Sequence, residues 1–279
     1  DKMNVVNRFD MYMGNLDLAK ILTSDPSLTV AAVMSKDLEP IQATMSAKEV
    51  AHLFEKRDLI SAPVVSENNR LIGRITIDDV VDVIRDEADH SLMSMAGMHE
   101  EDDMFAPVIH SAKSRAFWLG LNLLTALLAA WVIGLFQGTL EKVVALAVLM
   151  PIAASMGGIA GTQTLTLIIR GLALGHIGKS NSKWLLYKEA AVGALNGLVW
   201  AIVVAAFAIF WFQDIMIGVF IAAAMLINLV FAAIAGFSIP IILKNIGIDP
   251  ALAGSVILTT FTDIIGYIAF LGLATIYFM

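Results

Sequence analysis

The sequence predicts an α-helical membrane protein with five transmembrane helices, preceded by a cytoplasmic α/β domain. Two observations indicate this fold class. The chain of 279 residues is 58% hydrophobic and has a mean hydropathy of +0.78, whereas soluble domains are about 45–50% apolar. Charged residues are frequent up to residue 115 and become rare from Ala116 onward. The first part therefore has the composition of a soluble domain and the second part that of a membrane domain.

The soluble part contains an internal repeat. A shift of 59 residues places Val5 on Val64 and Gly14 on Gly73. Both copies follow the pattern strand, turn, glycine, short strand, helix, which predicts the same supersecondary unit twice.

Only the second copy has a front half. Ser46, with Glu49 three residues later, forms the capping-box pattern of a helix start, and this helix is predicted to extend through Lys56. An apolar strand follows over residues 60–65. We therefore divide the soluble part into a truncated first repeat, residues 1–26, and a second repeat, residues 27–90. The chain also begins at Asp1 without a signal peptide, and we expect it to be part of a longer protein.

An acidic segment ends the soluble part. Asp79, Asp82 and Asp86 have the spacing i, i+3, i+7 and share one face of a predicted helix. Like charges so spaced repel each other, and a divalent cation would relieve the repulsion. The alternative is a solvated helix face. A linker helix over residues 91–114 is predicted to connect this segment to the membrane domain, residues 115–279.

The membrane domain contains five segments that are long and apolar enough to span a bilayer, since a transmembrane helix needs about 20 largely apolar residues. They are Ala116–Phe136, Val143–Ile169, Ala190–Gln213, Ile215–Leu243 and Ala251–Met279.

Basic residues predict the orientation, because cytoplasmic loops carry an excess of Lys and Arg. One side of the predicted spans carries only Lys142. The soluble domain is therefore predicted to be cytoplasmic and the C-terminus to lie outside. The basic residues on the opposite side from Lys142 are Lys113, Arg115, Arg170, Lys179, Lys183, Lys188 and Lys244.

The second span combines a helix breaker with small residues. Pro151 is followed by Gly157, Gly158 and Gly161. Irregular backbone at membrane depth is tolerated where it faces protein or water, and discontinuous helices often mark binding sites in transporters. The pattern predicts an interrupted helix beside a cavity. The alternative is tight helix packing through the small residues.

Asp263 is the only charged residue of the fifth span. A carboxylate at the centre of a membrane helix costs roughly 2.5–3.5 kcal/mol on insertion scales, and such groups usually mark functional sites. Thr259, Thr260 and Gly266 share its helical face. Two hydroxyls and a gap around one negative charge suit a cation. The alternative is a protonated carboxyl that joins two helices by a hydrogen bond.

Several function classes are excluded or not expected. The absence of cysteine excludes disulfides and thiolate metal sites. The triplet over residues 178–180 resembles the end of a P-loop, but Ala173 stands where the first glycine would be. The chain is not expected to be an enzyme or to bind nucleic acid.

Two motifs of the repeat resemble a known module. Ser-Ala-Pro-Val-Val over residues 61–65, followed by Gly-Arg-Ile-Thr-Ile-Asp-Asp over residues 73–79, resembles the cystathionine-β-synthase (CBS) domain pair. The resemblance implies an α/β CBS domain that binds an adenine nucleotide such as ATP, with Thr76 and Asp79 near the ribose.

The order of CBS pair, linker helix and five spans resembles the MgtE family of magnesium channels and transporters. The motifs that carry the resemblance are residues 151–163, 249–251 and 259–266. It implies a homodimer in the lipid of the bacterial cytoplasmic (inner) membrane that moves Mg²⁺ into the cytoplasm. In the pore, Asp263 would hold hydrated Mg²⁺, with Thr259, Ser155 and Gly158 close to the ion.

The resemblance also implies that cytoplasmic Mg²⁺ closes the channel. The regulatory metal would bind at Asp58, Asp79, Asp82 and Glu87. Two departures from the family pattern stand out. Ile159 occupies the asparagine position of the glycine motif, and His90 and Ser91 occupy positions where the family often has two more acids.

Three alternatives remain at this level. Ile159 favours a broader divalent transporter for Co²⁺, Mn²⁺ or Ni²⁺. The lone Asp263 also suits a proton-linked carrier in which this carboxyl titrates. A nucleotide sensor with a membrane anchor is the third, although an anchor would not need the unusual second span.

Overall fold

The computed structural model describes residues 2–37, 39–98, 105–178 and 180–278. The chain divides into two compact units, Asp1–Asp89 and His90–Met279. The first is a small α/β unit and the second is almost entirely helical. The elements of the first unit are β1 (Lys2–Val6), β2 (Tyr12–Asp17), α1 (Leu18–Thr23), α2 (Val30–Val33), β3 (Ile41–Gln42), α3 (Ala47–Arg57), β4 (Ser61–Val65), β5 (Leu71–Thr76) and α4 (Ile77–Met95), whose last residues belong to the second unit.

The repeat takes the form of two antiparallel hairpins with the same register. In the first, Lys2 faces Asp17 and the register shifts after Val5. In the second, Ser61 faces Thr76 and the register shifts after Val64. Both pairings and both irregularities differ by 59 positions, so each copy builds the same irregular hairpin.

The front half of the second copy forms as its sequence predicts. Helix α3 begins after Ser46, whose side chain accepts from the Glu49 backbone N–H while the Glu49 carboxylate accepts from the Ser46 backbone N–H. The helix buries Val50 and Phe54 in the core of this unit. Strand β3 pairs parallel to β4 and was not predicted, because two residues are too few to show a periodic pattern.

Within the part of the chain that the structure describes, the second unit contains the five long apolar helices that the sequence predicts. Its elements after the end of α4 are α5 (Val108–Gly134), α6 (Gln137–Lys142), α7 (Val144–Ala173), α8 (Ser182–Phe212), α9 (Ile215–Asn245) and α10 (Pro250–Phe278). Helices α5 and α8 each begin eight residues before the predicted spans. The extra turns carry basic residues such as Lys113 and Lys183, which an apolar window leaves out although they continue the helix.

The predicted interruption of the second span is wrong. Helix α7 is continuous over 30 residues with Pro151 inside it. A proline removes one backbone donor, and neighbouring helices allow a transmembrane helix to tolerate this loss. Gly161 of α7 serves close packing instead. A Cβ at Gly161 would lie 3.0 Å from a Leu258 methyl carbon, and a Cβ at Gly236 of α9 would lie 2.5 Å from the Gly161 carbonyl oxygen.

Helices α7, α9 and α10 pack against one another and form the centre of the membrane unit. Leu146, Ile221 and Phe270, one from each helix, are fully buried in the same apolar cluster. Helix α8 packs on α9 through Gly193 and Gly197, whose added Cβ atoms would lie within 2.9 Å of α9. Close contact of this kind is typical of small residues in membrane helices.

Candidate functional site

An open depression of about 410 Å³ lies between α7 and α10. We call it the α7–α10 depression. It brings together all four residues that the sequence analysis assigned to the pore metal, namely Asp263, Thr259, Ser155 and Gly158. The remaining lining residues are Ala154, Ile159, Thr162 and Gln163.

Helical periodicity explains why these residues share one surface. Ser155, Gly158, Ile159 and Thr162 have the spacing i, i+3, i+4, i+7 on α7, and Thr259 lies one turn before Asp263 on α10. A neighbouring face of α7, which includes Gly161 and the buried residue Leu165, packs against α9 and α10. The face with Ser155 and Thr162 is left to line the depression.

The Asp263 carboxylate is half-buried and faces the α7–α10 depression. Within the described part of the chain it makes no hydrogen bond and no ion pair, which differs from a protonated carboxyl that joins two helices. No group of three or more His, Cys, Asp or Glu side chains suited to a metal ion occurs among these residues. A cation in the depression would therefore meet one carboxylate per chain, and weaker oxygen acceptors would complete its surroundings.

Threonine hydroxyls supply such acceptors. Thr259 Oγ1 donates to the Ser255 carbonyl at 2.9 Å, and Thr262 Oγ1 donates to the Thr259 carbonyl at 3.0 Å. Each hydroxyl donates its single hydrogen to a carbonyl oxygen of its own helix. The lone pairs of the hydroxyl oxygen can therefore accept a hydrogen bond from another group. Because Thr259 lines the depression, its hydroxyl oxygen is placed to accept from the water molecules of a hydrated ion.

Ile159 lies on the wall of the α7–α10 depression with 55% of its surface exposed. An exposed apolar side chain next to a carboxylate offers nothing to a metal ion. The isoleucine at the asparagine position of the glycine motif thus lies where an ion in the depression would contact it. Gln163, one turn further along α7, is the one side-chain amide among the described lining residues.

The start of α10 shows why its motif begins with an acid. Asp249 Oδ1 accepts from the Ala251 backbone N–H at 2.9 Å, so this residue caps a helix whose first residue is Pro250. The second oxygen, Oδ2, lies 3.1 Å from His90 Nε2. The histidine that departs from the family pattern thus pairs with a residue of a family motif.

The predicted regulatory acids occupy separate positions in the first unit. Asp58 ends α3 in the left-handed conformation and is exposed. Asp82 is exposed on α4, and Glu87 forms an ion pair with Lys48. These acids do not form a ligand group in the described residues of one chain.

The predicted nucleotide residues are hydrogen-bonded to each other. Asp79 Oδ2 accepts from the Thr76 backbone N–H and from Thr76 Oγ1, both at 3.1 Å. Since Thr76 precedes the first residue of α4, the bond from its backbone N–H to Asp79 is one half of a capping box. Both residues are therefore occupied structurally at the position where the resemblance places the ribose.

The predicted linker helix, residues 91–114, is described only in part. Residues 91–95 complete α4, residues 108–114 open α5, and residues 99–104 lie outside the described residues. Its role stays a prediction.

Among the buried polar residues of the membrane unit that sequence reasoning missed are Asn228 and Glu189. Asn228 of α9 is fully buried, and its Nδ2 donates to the Ala153 carbonyl at 2.8 Å. The Glu189 side chain of α8 is 5% exposed, and its carboxylate accepts from Thr164 Oγ1 at 3.2 Å and from Lys188 Nζ at 2.8 Å. A lone amide inside an apolar run was the available signal for Asn228. Glu189 was hidden by its basic neighbours, which made the segment resemble a helix end.

These features define a class: a multi-pass α-helical membrane protein with one carboxylate, among the described residues, in a depression between two spans, joined to an α/β repeat module. Comparisons with known proteins agree. Residues 150–273 match the family model MgtE, described as a divalent cation transporter, and residues 30–86 match the model of the CBS domain.

Curated relatives match nearly the whole chain, among them two bacterial proteins. The magnesium transporter MgtE of Bacillus subtilis (strain 168) is 32% identical over 271 residues, which cover 97% of this chain and 60% of that protein. The magnesium transporter MgtE of Thermus thermophilus is 29% identical over 272 residues, with the same two coverages. The chain is similar to members of the MgtE family over nearly its whole length, and it spans about 60% of the length of these relatives.

A solved structure is similar to part of the chain. It is described as the cytosolic domain of the Mg²⁺ channel MgtE in complex with ATP, is 34% identical, and covers 29% of this chain and 33% of that one with a TM-score of 0.28.

Proposed function

We propose that this protein moves Mg²⁺ into the cytoplasm, down the electrochemical gradient, along the α7–α10 depression. The observation that supports the proposal is the lone carboxylate of Asp263, which has no protein partner in the described residues and faces the same depression as Thr259, Ser155 and Gly158. The relatives named as magnesium transporters support the choice of ion.

The chemistry of Mg²⁺ fits a site of this kind. Mg²⁺ gives up its waters reluctantly and is usually held by one or two carboxylates with several waters retained. The Asp263 carboxylate would attract the hydrated ion, and its waters would donate to Thr259 Oγ1 and to backbone oxygens. In a homodimer two copies of Asp263 would balance the two charges of the ion.

The membrane potential supplies the driving force in this proposal. Moving one elementary charge across 100 mV is worth about 2.3 kcal/mol, so a divalent ion gains about 4.6 kcal/mol. No nucleotide hydrolysis is needed. The orientation that we propose places the α/β unit in the cytoplasm and the C-terminus outside the bacterial cytoplasmic membrane. It is supported by the basic residues at the ends of the helices that would face the cytoplasm, such as Arg115, Arg170, Lys183 and Lys244.

Uptake into liposomes tests the proposal. Purified protein should carry Mg²⁺ into vesicles, and an inside-negative potential should accelerate uptake. A proton flux that follows a pH gradient and needs no divalent cation would favour the proton-linked carrier instead.

A second candidate function, transport of a broader set of divalent cations, is favoured by Ile159. Because an apolar residue contributes no ligand, discrimination between Mg²⁺ and ions such as Co²⁺, Mn²⁺ and Ni²⁺ would be weak. We expect Ile159→Asn to lower the half-saturating Mg²⁺ concentration about fivefold, as one added hydrogen-bond acceptor contributes about 1 kcal/mol.

Competition uptake measures this effect. Ile159→Val, which changes the volume but adds no polar atom, serves as the control and should behave as the parent. Equal competition by Co²⁺ in the parent and in Ile159→Asn would contradict the role given to this residue.

Closure by cytoplasmic Mg²⁺ is the regulatory part of the proposal. It is supported by the acidic face of α4 and by exposed Asp82 and Asp58. Since one chain brings no three ligands together within its described residues, the regulatory metal would draw acids from a second chain or from another part of the protein. ATP binding at Thr76 and Asp79 would need their mutual hydrogen bonds to be exchanged for bonds to the nucleotide.

We expect the double variant Asp79→Asn, Asp82→Asn to lose inhibition by Mg²⁺ on the cytoplasmic side. The amide keeps a side-chain oxygen at position 79, which can still accept from the Thr76 backbone N–H at the start of α4. Flux at several internal Mg²⁺ concentrations measures the effect. Glu67→Gln, an exposed acid outside the acidic face, is the control. If inhibition by Mg²⁺ persists in the double variant, the acidic face of α4 is only solvated surface and has no regulatory role.

A further inference from the structure

The side chain of Asn228 is an unusual feature of α9. It is fully buried, and it is the one polar residue in the buried set of a helix whose other buried residues are apolar or glycine. Its Oδ1 atom has no hydrogen-bond partner although it is out of contact with solvent. Burying a polar atom without a partner costs free energy, so an amide at this position calls for a reason beyond filling space.

The amide lies in a notch made by two glycines. A Cβ at Gly157 of α7 would lie 2.2 Å from Asn228 Nδ2, and a Cβ at Gly266 of α10 would lie 2.8 Å from the same atom. No side chain larger than hydrogen fits at either position while the amide is there. Asn228 therefore touches the two helices that line the α7–α10 depression, from a third helix that does not line it.

Both contacts are adjacent to lining residues. Gly157 precedes Gly158, and Gly266 lies three residues after Asp263. The hydrogen bond from Asn228 Nδ2 goes to the Ala153 carbonyl, and Ala153 is followed directly by lining residue Ala154. A shift of the amide would therefore move the walls of the depression.

We propose that Asn228 is a positioning residue that sets the spacing between α7 and α10, and with it the discrimination among hydrated cations at Asp263. This inference rests on the proposed function. A hydrated ion has a fixed size, so acceptors on opposite walls discriminate among ions only while their separation is held. The hydrogen bond to the Ala153 carbonyl and the fit against Gly157 and Gly266 hold that separation. An apolar side chain could provide the fit but not the hydrogen bond.

The test separates positioning from packing through Asn228→Leu and Asn228→Ala, which both remove the hydrogen bond, the first filling the notch and the second emptying it. Leucine has the branched outline of asparagine and removes the unpartnered oxygen, but its methyl groups are bulkier than the amide, so we expect crowding against Gly157 and Gly266 to lower the thermal midpoint in detergent. Loss of the hydrogen bond should raise the half-saturating Mg²⁺ concentration about fivefold and lower the preference for Mg²⁺ over Co²⁺ by a similar factor, with maximal flux retained. Asn228→Ala, which cannot clash, should show the same shifts if the leucine variant does not fold.

Thr139→Val is the matched control. Thr139 is a buried polar residue that pairs with Thr275 at 2.7 Å and does not line the depression. It should change stability without changing the half-saturating concentration or the Mg²⁺ to Co²⁺ ratio. The inference is overturned if Asn228→Leu, or Asn228→Ala in its place, changes only stability or maximal flux. If Asp263→Asn also leaves Mg²⁺ flux intact, the proposed function itself has failed, which distinguishes the two cases.

Discussion

Asp263→Asn should reduce Mg²⁺ flux into liposomes by roughly 100-fold, which corresponds to about 2.7 kcal/mol. The substitution keeps the shape and polarity of the side chain and removes only its charge. In the described residues no other carboxylate lines the α7–α10 depression, so nothing on this surface would replace it. Two unit charges 4 Å apart attract by about 4 kcal/mol at an effective dielectric constant of 20, and a hydrated divalent ion at a larger distance would lose a comparable amount.

Two further variants test whether the loss of flux is due to the loss of the charge. Asp263→Glu keeps the charge on a longer stem and should retain a measurable part of the flux. Asp263→Ala should resemble Asp263→Asn, because both lack the charge. Mg²⁺ flux that is unchanged in both the Asn and the Ala variants would remove Asp263 from the ion path.

Gly236→Ala should destabilise the membrane unit strongly. The added methyl group would lie 2.5 Å from the Gly161 carbonyl oxygen and 3.0 Å from Thr164 Cβ. Backbone atoms cannot turn away as a flexible side chain can, so α7 and α9 would have to separate. Overpacking of this kind costs about 1–3 kcal/mol, and each kcal/mol lowers the thermal midpoint by roughly 2–4 °C in a unit of this size.

Gly272→Ala on α10 is the control for this prediction. An added Cβ at Gly272 meets no atom within 4 Å, and alanine has the higher helix propensity by about 1 kcal/mol. This variant should be as stable as the parent or more so. Equal thermal midpoints for Gly236→Ala and Gly272→Ala would contradict the close packing of α7 on α9.

The fold could be predicted from the sequence where a local rule decides it. Five apolar runs predicted five helices, and the capping pattern at Ser46 and Glu49 predicted the start of α3. The 59-residue shift predicted two equivalent hairpins, and their shared register agrees. In each case the chemistry that determines the structure lies within a short segment, so no knowledge of neighbours was needed.

The prediction was wrong where the outcome depended on neighbouring helices. Pro151 and the glycines of α7 predicted an interrupted helix, because the sequence does not reveal that Asn228, Leu258 and Gly236 fill the space beside them. The role of Asn228 was missed for the same reason. A buried amide looks like any other polar residue until the helices that enclose it are known.

The candidate site was more accessible to sequence reasoning than the packing around it. Asp263 was singled out by the energetic cost of a charge in a membrane helix, and Thr259 by helical periodicity. Ser155 and Gly158 came from family resemblance. The depression unites all four, but the apolar exposure of Ile159 and the bonds that occupy Thr76 and Asp79 could be recognised only in the folded chain.

Thiol accessibility tests the central claim, that hydrated Mg²⁺ passes through the α7–α10 depression beside Asp263. The chain has no cysteine, so Thr162→Cys introduces a single thiol into the wall of the depression. Ile268→Cys is the control, because Ile268 is an exposed residue of α10 that does not line the depression. We predict that a small, water-soluble, cationic thiol reagent modifies Thr162→Cys, that Mg²⁺ slows this reaction, and that adding Asp263→Asn removes the protection. A Thr162→Cys thiol that does not react, or that reacts at the same rate with and without Mg²⁺, would contradict the account.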